Sequence, residues 1–124
     1  MNKKLLWLDD IRNPHENDWL NFSPIPHPFD VFWVKSYLEF INWILANGLP
    51  NAICFDYDLG GDEFSEEKTG YDCAKWIVNY CLGKNLTLPK WNIHSSNPVG
   101  KENINKLLLS FIKNAENNEK KEQN

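Results

Sequence analysis

The sequence is poor in arginine, and it has no long apolar run and no paired-cysteine motif. Arg12 is the only arginine, and 13 Lys and Arg residues stand against 17 Asp and Glu residues, for a formal charge of -4. Proteins that coat DNA carry an excess of positive charge, so this composition excludes general DNA binding. No stretch approaches the roughly 20 apolar residues that cross a bilayer. Only four apolar residues precede Asp9, too few for a secretory signal, so we expect a cytoplasmic protein without a membrane partner.

The three cysteines show no pattern of a structural or catalytic site. Cys54, Cys73 and Cys81 are odd in number and none of their spacings is CxxC. Neither a disulfide framework nor a zinc site is therefore indicated. Each cysteine lies in an apolar run, so we interpret all three as small buried hydrophobic residues.

The remaining composition is that of one globular domain. The 124 residues include 42% hydrophobic residues, with six Trp and seven Phe, which is enough for a core. We expect residues 1–113 to form a single domain and the polar residues 114–124 to form a disordered tail. Most aromatic residues belong to the predicted core, whereas Trp19 and Phe22 lie in a long loop and are candidates for a substrate wall.

Short apolar runs alternate with helical periodicity along the chain. Buried strands are predicted at residues 5–8, 30–34, 52–55 and 89–94, and helices after the second, third and fourth strands. The segment 11–29 contains four prolines, which disfavour a continuous helix, so a loop is predicted there. This order predicts an α/β fold with a mostly parallel sheet covered on both faces.

Acidic and polar side chains follow three of the four predicted strands. Asp9 and Asp10 close the first strand, and Asp56 and Asp58 close the third. Ligands of open parallel sheets bind beyond the carboxyl ends of the strands. Carboxylates that converge there repel one another unless a proton or a cation lies between them, and Mg²⁺ or Mn²⁺ suits oxygen ligands. The four aspartates are therefore candidate metal ligands, with helix capping or solvation in a loop as the alternative.

Five further residues are candidates for catalysis or phosphate binding. The Arg12 guanidinium suits a phosphate group, or else it pairs with an acid at the surface. His94 closes the predicted fourth strand and is a candidate general acid or base, or else it only forms hydrogen bonds within the loop. Ser95, Ser96 and Asn97 precede the last helix and offer donors to a phosphate, although capping alone would explain one of them.

The acidic pair after the first strand, the Asp after the third and the hydroxyl residue after the fourth resemble the receiver domain of response regulators. In that family the pair and the third-strand Asp bind Mg²⁺, and the latter accepts a phosphoryl group. Asp9, Asp10 and Asp56 match those positions. Asp58 falls where the family uses a backbone carbonyl as a metal ligand.

A closer resemblance is to the cyclic-phosphate processing receiver domain, a branch linked to cyclic-phosphate and RNA-end metabolism. The segments that carry it are residues 6–14, 55–60, 69–72 and 93–100. The resemblance implies a three-layer, flavodoxin-like fold with about four strands in the order 2-1-3-4. Compared with an ordinary receiver, we expect a loop in place of the first helix, an acidic insertion over residues 62–67, and no fifth strand with its lysine.

The leading functional hypothesis is metal-dependent hydrolysis of a phosphodiester, such as a nucleotide or RNA end with a 2′,3′-cyclic phosphate. The aspartates would hold Mg²⁺ or Mn²⁺, His94 would protonate the leaving oxygen, and Arg12 and Ser95 would stabilise charge on the phosphoryl group. Asp56 would take part in the reaction directly.

Two other classes of function stay open. One is a phosphoacceptor receiver in which Asp56 carries an acyl phosphate. The other is a non-catalytic protein that binds a phosphorylated ligand or a protein partner. The Asn- and Lys-rich composition suits an AT-rich bacterial or phage genome, in which small anti-defence proteins of this kind occur. The paired acids Asp56 and Asp58 also resemble those of haloacid-dehalogenase phosphatases, but there they follow the first strand.

Overall fold

Four strands and three α-helices alternate along the chain in the computed structural model, which describes residues 2–60 and 68–122. The elements in chain order are β1 (Lys3–Leu8), a 3-10 helix (Trp19–Phe22), β2 (Phe29–Val34), α1 (Tyr37–Asn47), β3 (Ala52–Phe55), α2 (Gly70–Lys84), β4 (Lys90–Ile93) and α3 (Pro98–Glu122). The predicted acidic insertion over residues 62–67 lies outside the described residues. Among those described, no helix combines the length and apolar character that crossing a bilayer requires.

The strands form one parallel sheet in the order β2-β1-β3-β4, which confirms the predicted receiver-like α/β fold. The chain turns to opposite sides of β1 when it adds β2 and β3, so the order of the strands reverses beside β1. A crevice between connections opens at such a reversal, at the carboxyl ends of the strands. The topology therefore places any ligand site where β1 and β3 end.

The two faces of the sheet are covered differently. One face buries Leu6, Ile53 and Phe55 against residues of all three α-helices. The opposite face buries Leu5, Trp7 and Cys54 against the segment that joins β1 to β2. A loop with a single 3-10 turn thus forms the third layer, in agreement with the prediction that its four prolines prevent a continuous helix.

The long loop is fastened to the far side of the sheet. The Phe22 carbonyl accepts a hydrogen bond from Asn92 Nδ2 at 2.8 Å and one from the Cys54 thiol at 3.6 Å. Asn92 Oδ1 in turn accepts from the backbone N–H of Ile93 at 2.8 Å. Ile25, further along the loop, is 6% exposed. Through these contacts the loop lies against β3 and β4 as well as against β1.

The first two helices begin at capping residues that the sequence signals locally. Ser36 caps α1 by accepting from Glu39 N at 3.1 Å, and Thr69 with Asp72 forms a capping box at α2. The last helix continues to Glu122, where the sequence predicts a disordered tail from residue 114. No glycine or proline occurs after Gly100, so no residue type that ends helices interrupts this segment.

The three cysteines are buried, as predicted. Burial raises the pKa of Cys54 to about 12 and that of Cys81 to about 11, and it raises the pKa of Cys73 further. These thiols are therefore protonated at neutral pH and serve as packing residues.

Candidate functional site

The backbone ladder of the sheet continues one residue past three strands and brings the predicted site residues side by side. Asp9 N donates to Val34 O at 3.1 Å and Asp56 N donates to Leu8 O at 3.0 Å. His94 N likewise donates to the carbonyl of the last residue of β3, at 3.0 Å. Asp9, Asp56 and His94 are all buried, so the carboxyl end of the sheet holds three polar side chains out of water.

Three carboxylates converge at this edge. Asp9, Asp10 and Asp56 each offer one oxygen atom, and these atoms all lie within 4.8 Å of one another. Oxygen atoms at such separations could share one divalent cation. Asp58, the fourth predicted ligand, is not part of this cluster: its exposed carboxylate lies 3.4 Å from Asn97 Nδ2, near the start of α3.

The Asp9 carboxylate is fully occupied by hydrogen bonds within the protein. Its Oδ1 accepts from the backbone N–H groups of Ile11 and Arg12, both at 2.9 Å. Its Oδ2 accepts from Arg12 Nη1 at 3.1 Å and contacts His94 Nε2 at 2.9 Å. A carboxylate has about four lone-pair positions, and here all four are taken. Asp9 therefore holds Arg12 and His94 in place and offers little to a metal ion directly.

The Arg12 guanidinium lies between two of the carboxylates. Its Nη1 is 3.1 Å from Asp9 Oδ2 and 3.7 Å from Asp56 Oδ1, while the side chain keeps 29% of its surface exposed. The guanidinium carbon lies 5.3 Å from the centre of the Trp19 ring. Arg12 is thus neither a free surface cation nor a fully buried one. It presents a fixed positive charge to solvent beside the acidic cluster.

The His94 ring is enclosed rather than open to solvent. Its side chain is 0% exposed, Nε2 contacts Asp9, and Nδ1 has no hydrogen-bond partner among the residues that the structure describes. Trp7 stacks on the ring with centroids 3.9 Å apart and an interplanar angle of 8°. Trp19 and Phe22, the predicted substrate wall, close over it at 6.3 and 6.2 Å between centroids. The predicted role as an acid that touches substrate does not fit this burial, and His94 instead supports Asp9.

The two buried carboxylates titrate at opposite ends of the acidic range. Burial favours the neutral form of Asp9, but hydrogen bonds from His94, Arg12 and Ile11 outweigh it and lower the pKa to about 2. Burial and the charge of Asp9 raise the pKa of Asp56 to about 6, against weaker opposing effects of Arg12 and Ser95. Burial also lowers the pKa of His94, despite its contact with Asp9. At neutral pH the network is therefore an ionised Asp9 with a neutral His94 that donates from Nε2.

The residues ahead of α3 divide between capping and the site. Asn97 caps the helix, since its Oδ1 accepts from Gly100 N at 3.0 Å. Ser95 Oγ accepts from Asn97 N at 3.1 Å, and the same hydroxyl helps to stabilise the ionised form of Asp56. Ser96 is exposed. Capping thus explains Asn97, and Ser95 is the hydroxyl that the fold brings to the carboxylates.

Two of the predicted ligands have carboxylate oxygens that could coordinate a hard divalent cation. Asp10 is half-buried, and its Oδ2 accepts one hydrogen bond from Gly60 N at 2.9 Å. Asp56 Oδ1 accepts from Tyr57 N at 2.9 Å. Within the described residues both carboxylates keep lone pairs for another partner, and Mg²⁺ commonly takes only one or two protein carboxylates together with water.

Sequence reasoning missed the tryptophans that hold this turn. Trp7 Nε1 donates to the Arg12 carbonyl at 3.0 Å, and Trp33 Nε1 donates to the Asp9 carbonyl at 2.7 Å. One feature of the sequence does indicate the role of Trp7. Side chains alternate between the two faces along a strand, so Trp7 lies on the same face as Asp9, two residues later, and is expected near it.

The family comparison agrees with this geometry. The model of the cyclic-phosphate processing receiver domain matches residues 4–110, a range that includes every predicted site residue. No curated protein and no solved structure matches the chain significantly. The matched range covers the four strands except for the first residue of β1, the acidic cluster and about the first half of α3, and so the chain belongs to the cyclic-phosphate processing receiver domain family.

Proposed function

We propose that the protein hydrolyses cyclic phosphate or phosphodiester groups on nucleotides or RNA ends, with Mg²⁺ or Mn²⁺ as cofactor. Membership of a cyclic-phosphate processing family supports a role in phosphate processing. The observation that carries the finer proposal is the position of Arg12, which contacts Asp9 and approaches Asp56 while part of its guanidinium faces solvent. A fixed cation beside a cluster of carboxylates suits a ligand that brings phosphate oxygens and a metal ion together.

The metal ion would be held by Asp10 and Asp56, which keep lone pairs within the described residues. When bound, the ion supplies positive charge to phosphoryl oxygens and makes a coordinated water more acidic. Asp9 would support the site through Arg12 and His94. Asp58 is exposed beside Asn97, and its side chain takes no part in this proposal.

The chain's own residues would bind and orient the phosphoryl group. The guanidinium N–H groups of Arg12 that do not face Asp9 would donate to one of the two non-bridging oxygens of the phosphodiester, and the Ser95 hydroxyl would donate to the other. In the reaction a water oxygen forms a bond to phosphorus and the bond from phosphorus to a ribose oxygen breaks. The proton lost by the water ends on that ribose oxygen, and the product is a phosphomonoester. His94 would act through Asp9, because its ring is buried.

A panel of substrates tests the proposal. Purified protein is incubated with 2′,3′-cyclic nucleotides, linear dinucleotides and RNA with a terminal cyclic phosphate, each with Mg²⁺, with Mn²⁺ and with EDTA. We expect ring opening that requires metal, and its loss in Asp56→Asn and Arg12→Lys. Asp30→Asn is the matched control, since Asp30 is an exposed carboxylate near the opposite end of β2. Intact substrates in every metal-containing reaction of the wild type would contradict the proposal.

A second candidate function is transfer of a phosphoryl group to Asp56. The observation that favours it is the place of Asp56, directly after β3 in a parallel sheet of receiver order. Incubation with acetyl phosphate and Mg²⁺ followed by intact-mass measurement tests it, because an acyl phosphate adds about 80 Da. No adduct on the wild type would exclude this candidate.

Binding without turnover is the remaining outcome. The same substrate panel, read by calorimetry, would then give metal-dependent affinity with unchanged substrates. That result would assign the protein to the class of phosphate-ligand binders.

A further inference from the structure

Two tryptophans on neighbouring strands hold the turn that carries the site. Trp7 on β1 and Trp33 on β2 are partners in the register of the parallel pair. The Trp33 indole donates to the carbonyl of Asp9, where the turn begins, and the Trp7 indole donates to the carbonyl of Arg12, where it ends. We call these two side chains the indole pair. The turn is therefore fixed at both ends by donors that belong to the sheet.

Trp7 also connects the two partners of Asp9. Its ring stacks on His94, and its N–H bonds to the main chain of Arg12. His94 Nε2 and Arg12 Nη1 both contact Asp9 Oδ2, at 2.9 and 3.1 Å. Asp9, Arg12, Trp7 and His94 thus form a closed ring of contacts, in which moving one member disturbs the others.

We infer that Trp7 and Trp33 are positioning residues that set the direction of the Arg12 guanidinium through the main chain of residues 9–12. An indole has only two rotatable side-chain bonds, so once packed it offers a donor at a fixed place. A part-buried carbonyl that loses such a donor must find a new hydrogen-bond partner, and the peptide group rotates toward that partner. The side chain of the same residue changes direction with this rotation. The catalytic consequence rests on the proposed function, whereas the orientation of Arg12 is measurable without turnover.

Arg12 offers a direct readout because it is the only arginine in the chain. Its Nε–H group gives a single, unambiguous resonance in a ¹H–¹⁵N spectrum of the uniformly labelled protein. We compare the wild type with Trp7→Phe and Trp33→Phe, which keep an aromatic ring and remove the donor. Trp76→Phe is the matched control, since Trp76 lies on α2 and packs against the core on the other face of the sheet.

We expect the Arg12 resonance to move toward the position of free arginine, and to exchange faster with water, in both indole-pair variants. The control should keep the wild-type resonance. In the wild type, adding inorganic phosphate with Mg²⁺ should shift the same signal. The indole-pair variants should need about three- to tenfold more phosphate for the same shift, the effect of losing one hydrogen bond.

An unchanged Arg12 resonance in folded Trp7→Phe and Trp33→Phe would overturn the inference. Trp7 is fully buried and Trp33 is only half-buried. If Trp7→Phe fails to fold, as judged by circular dichroism, Trp33→Phe alone decides. A movement equal to that of Trp76→Phe would also count against the inference, because it would reflect general loosening. A wild type that shows no response to phosphate would count against the proposed function and leave the ligand-free comparison intact.

Discussion

Asp9 and Asp56 face the same guanidinium group, at 3.1 and 3.7 Å from Arg12 Nη1, yet the protein shifts their pKa values in opposite directions. The pKa of Asp9 is about 2 and that of Asp56 is about 6. Four hydrogen-bonding contacts to Asp9 favour its ionised form and lower its pKa. At Asp56, burial and the charge of Asp9 raise the pKa, and the opposing effects of its neighbours are weaker. One carboxylate is therefore a permanent anion, and the other exchanges a proton near neutral pH.

Metal affinity should follow the ionisation of Asp56. A proton and a divalent cation compete for the same oxygen atoms, and the pKa of about 6 means that Asp56 is mostly protonated at pH 5 and mostly ionised at pH 7. The affinity for Mn²⁺ should rise about tenfold between these pH values. Mn²⁺ titrations followed by electron paramagnetic resonance at pH 5, 6 and 7 measure it. Asp56→Asn should bind weakly at every pH, and a flat profile in the wild type would contradict the assignment.

Removing the charge of Asp56 should stabilise the metal-free protein. Its folded pKa is raised from 3.8 to about 6, so the native state binds more protons than the unfolded state in that range, and stability falls as pH rises through it. At pH 7.5 in EDTA, Asp56→Asn should raise the free energy of unfolding by about 1–3 kcal/mol. Urea unfolding measures the change. The gain should vanish below pH 3.8, where Asp56 is protonated in both states.

Removing the charge of Asp9 should have the opposite effect. Its folded pKa is depressed to about 2, so it contributes stability above its unfolded pKa, and this is lost as pH falls from 3.8 toward 2. Asp9→Asn also replaces one of two accepting oxygens with an NH2 donor, so either the backbone N–H groups of Ile11 and Arg12 or the side chains of Arg12 and His94 lose their acceptor. At pH 7 we expect a loss of about 3 kcal/mol in urea unfolding. Asp30→Asn should change the free energy of unfolding little. If Asp9→Asn and Asp56→Asn change this free energy in the same direction, the opposite roles of the two carboxylates are refuted.

A methyl group at Gly70 should displace the third-strand carboxylate. A Cβ built there would lie 1.8 Å from the carbonyl oxygen of Asp56, so the main chain of one residue must move. Gly70→Ala should cost about 2 kcal/mol or more and weaken Mn²⁺ binding. Gly83→Ala in the same helix is the matched control, because nothing lies within 4 Å of its Cβ. Gly83→Ala should be neutral or stabilising by up to about 1 kcal/mol. If Gly70→Ala is as stable as Gly83→Ala, the close approach of Gly70 to the Asp56 carbonyl is contradicted.

The acidic cluster was predictable because its geometry follows from strands. Asp9 and Asp10 come directly after β1 and Asp56 directly after β3, and backbone hydrogen bonds that continue the sheet fix the positions of Asp9 and Asp56. Asp58 is two residues further into a loop, where the direction of a side chain depends on contacts that no periodicity encodes. The strands were predictable from apolar runs and their order from the family resemblance. The loop in place of the first helix was predictable from its prolines.

The roles of His94 and the tryptophans depended on tertiary packing. The place of His94 after β4 was predictable, but its burial comes from Trp19 and Phe22, which reach it only because the loop folds back over the sheet. The bonds from the indole pair to residues 9 and 12 join positions on two strands and a turn. A pattern of apolar residues identifies such tryptophans as core and gives no information on where their N–H groups point.

The Asn92 amide also protects the outer border of the sheet. Lys90 N and His94 N bond toward β3, so the intervening backbone N–H of Ile93 faces away from the neighbouring strand. That group donates to Asn92 Oδ1, while Asn92 Nδ2 is held by the Phe22 carbonyl. A further strand from another molecule would have to break the bond between Ile93 N and Asn92 Oδ1 before it could pair with that N–H group. The same side chain that anchors the loop thus opposes edge-to-edge aggregation.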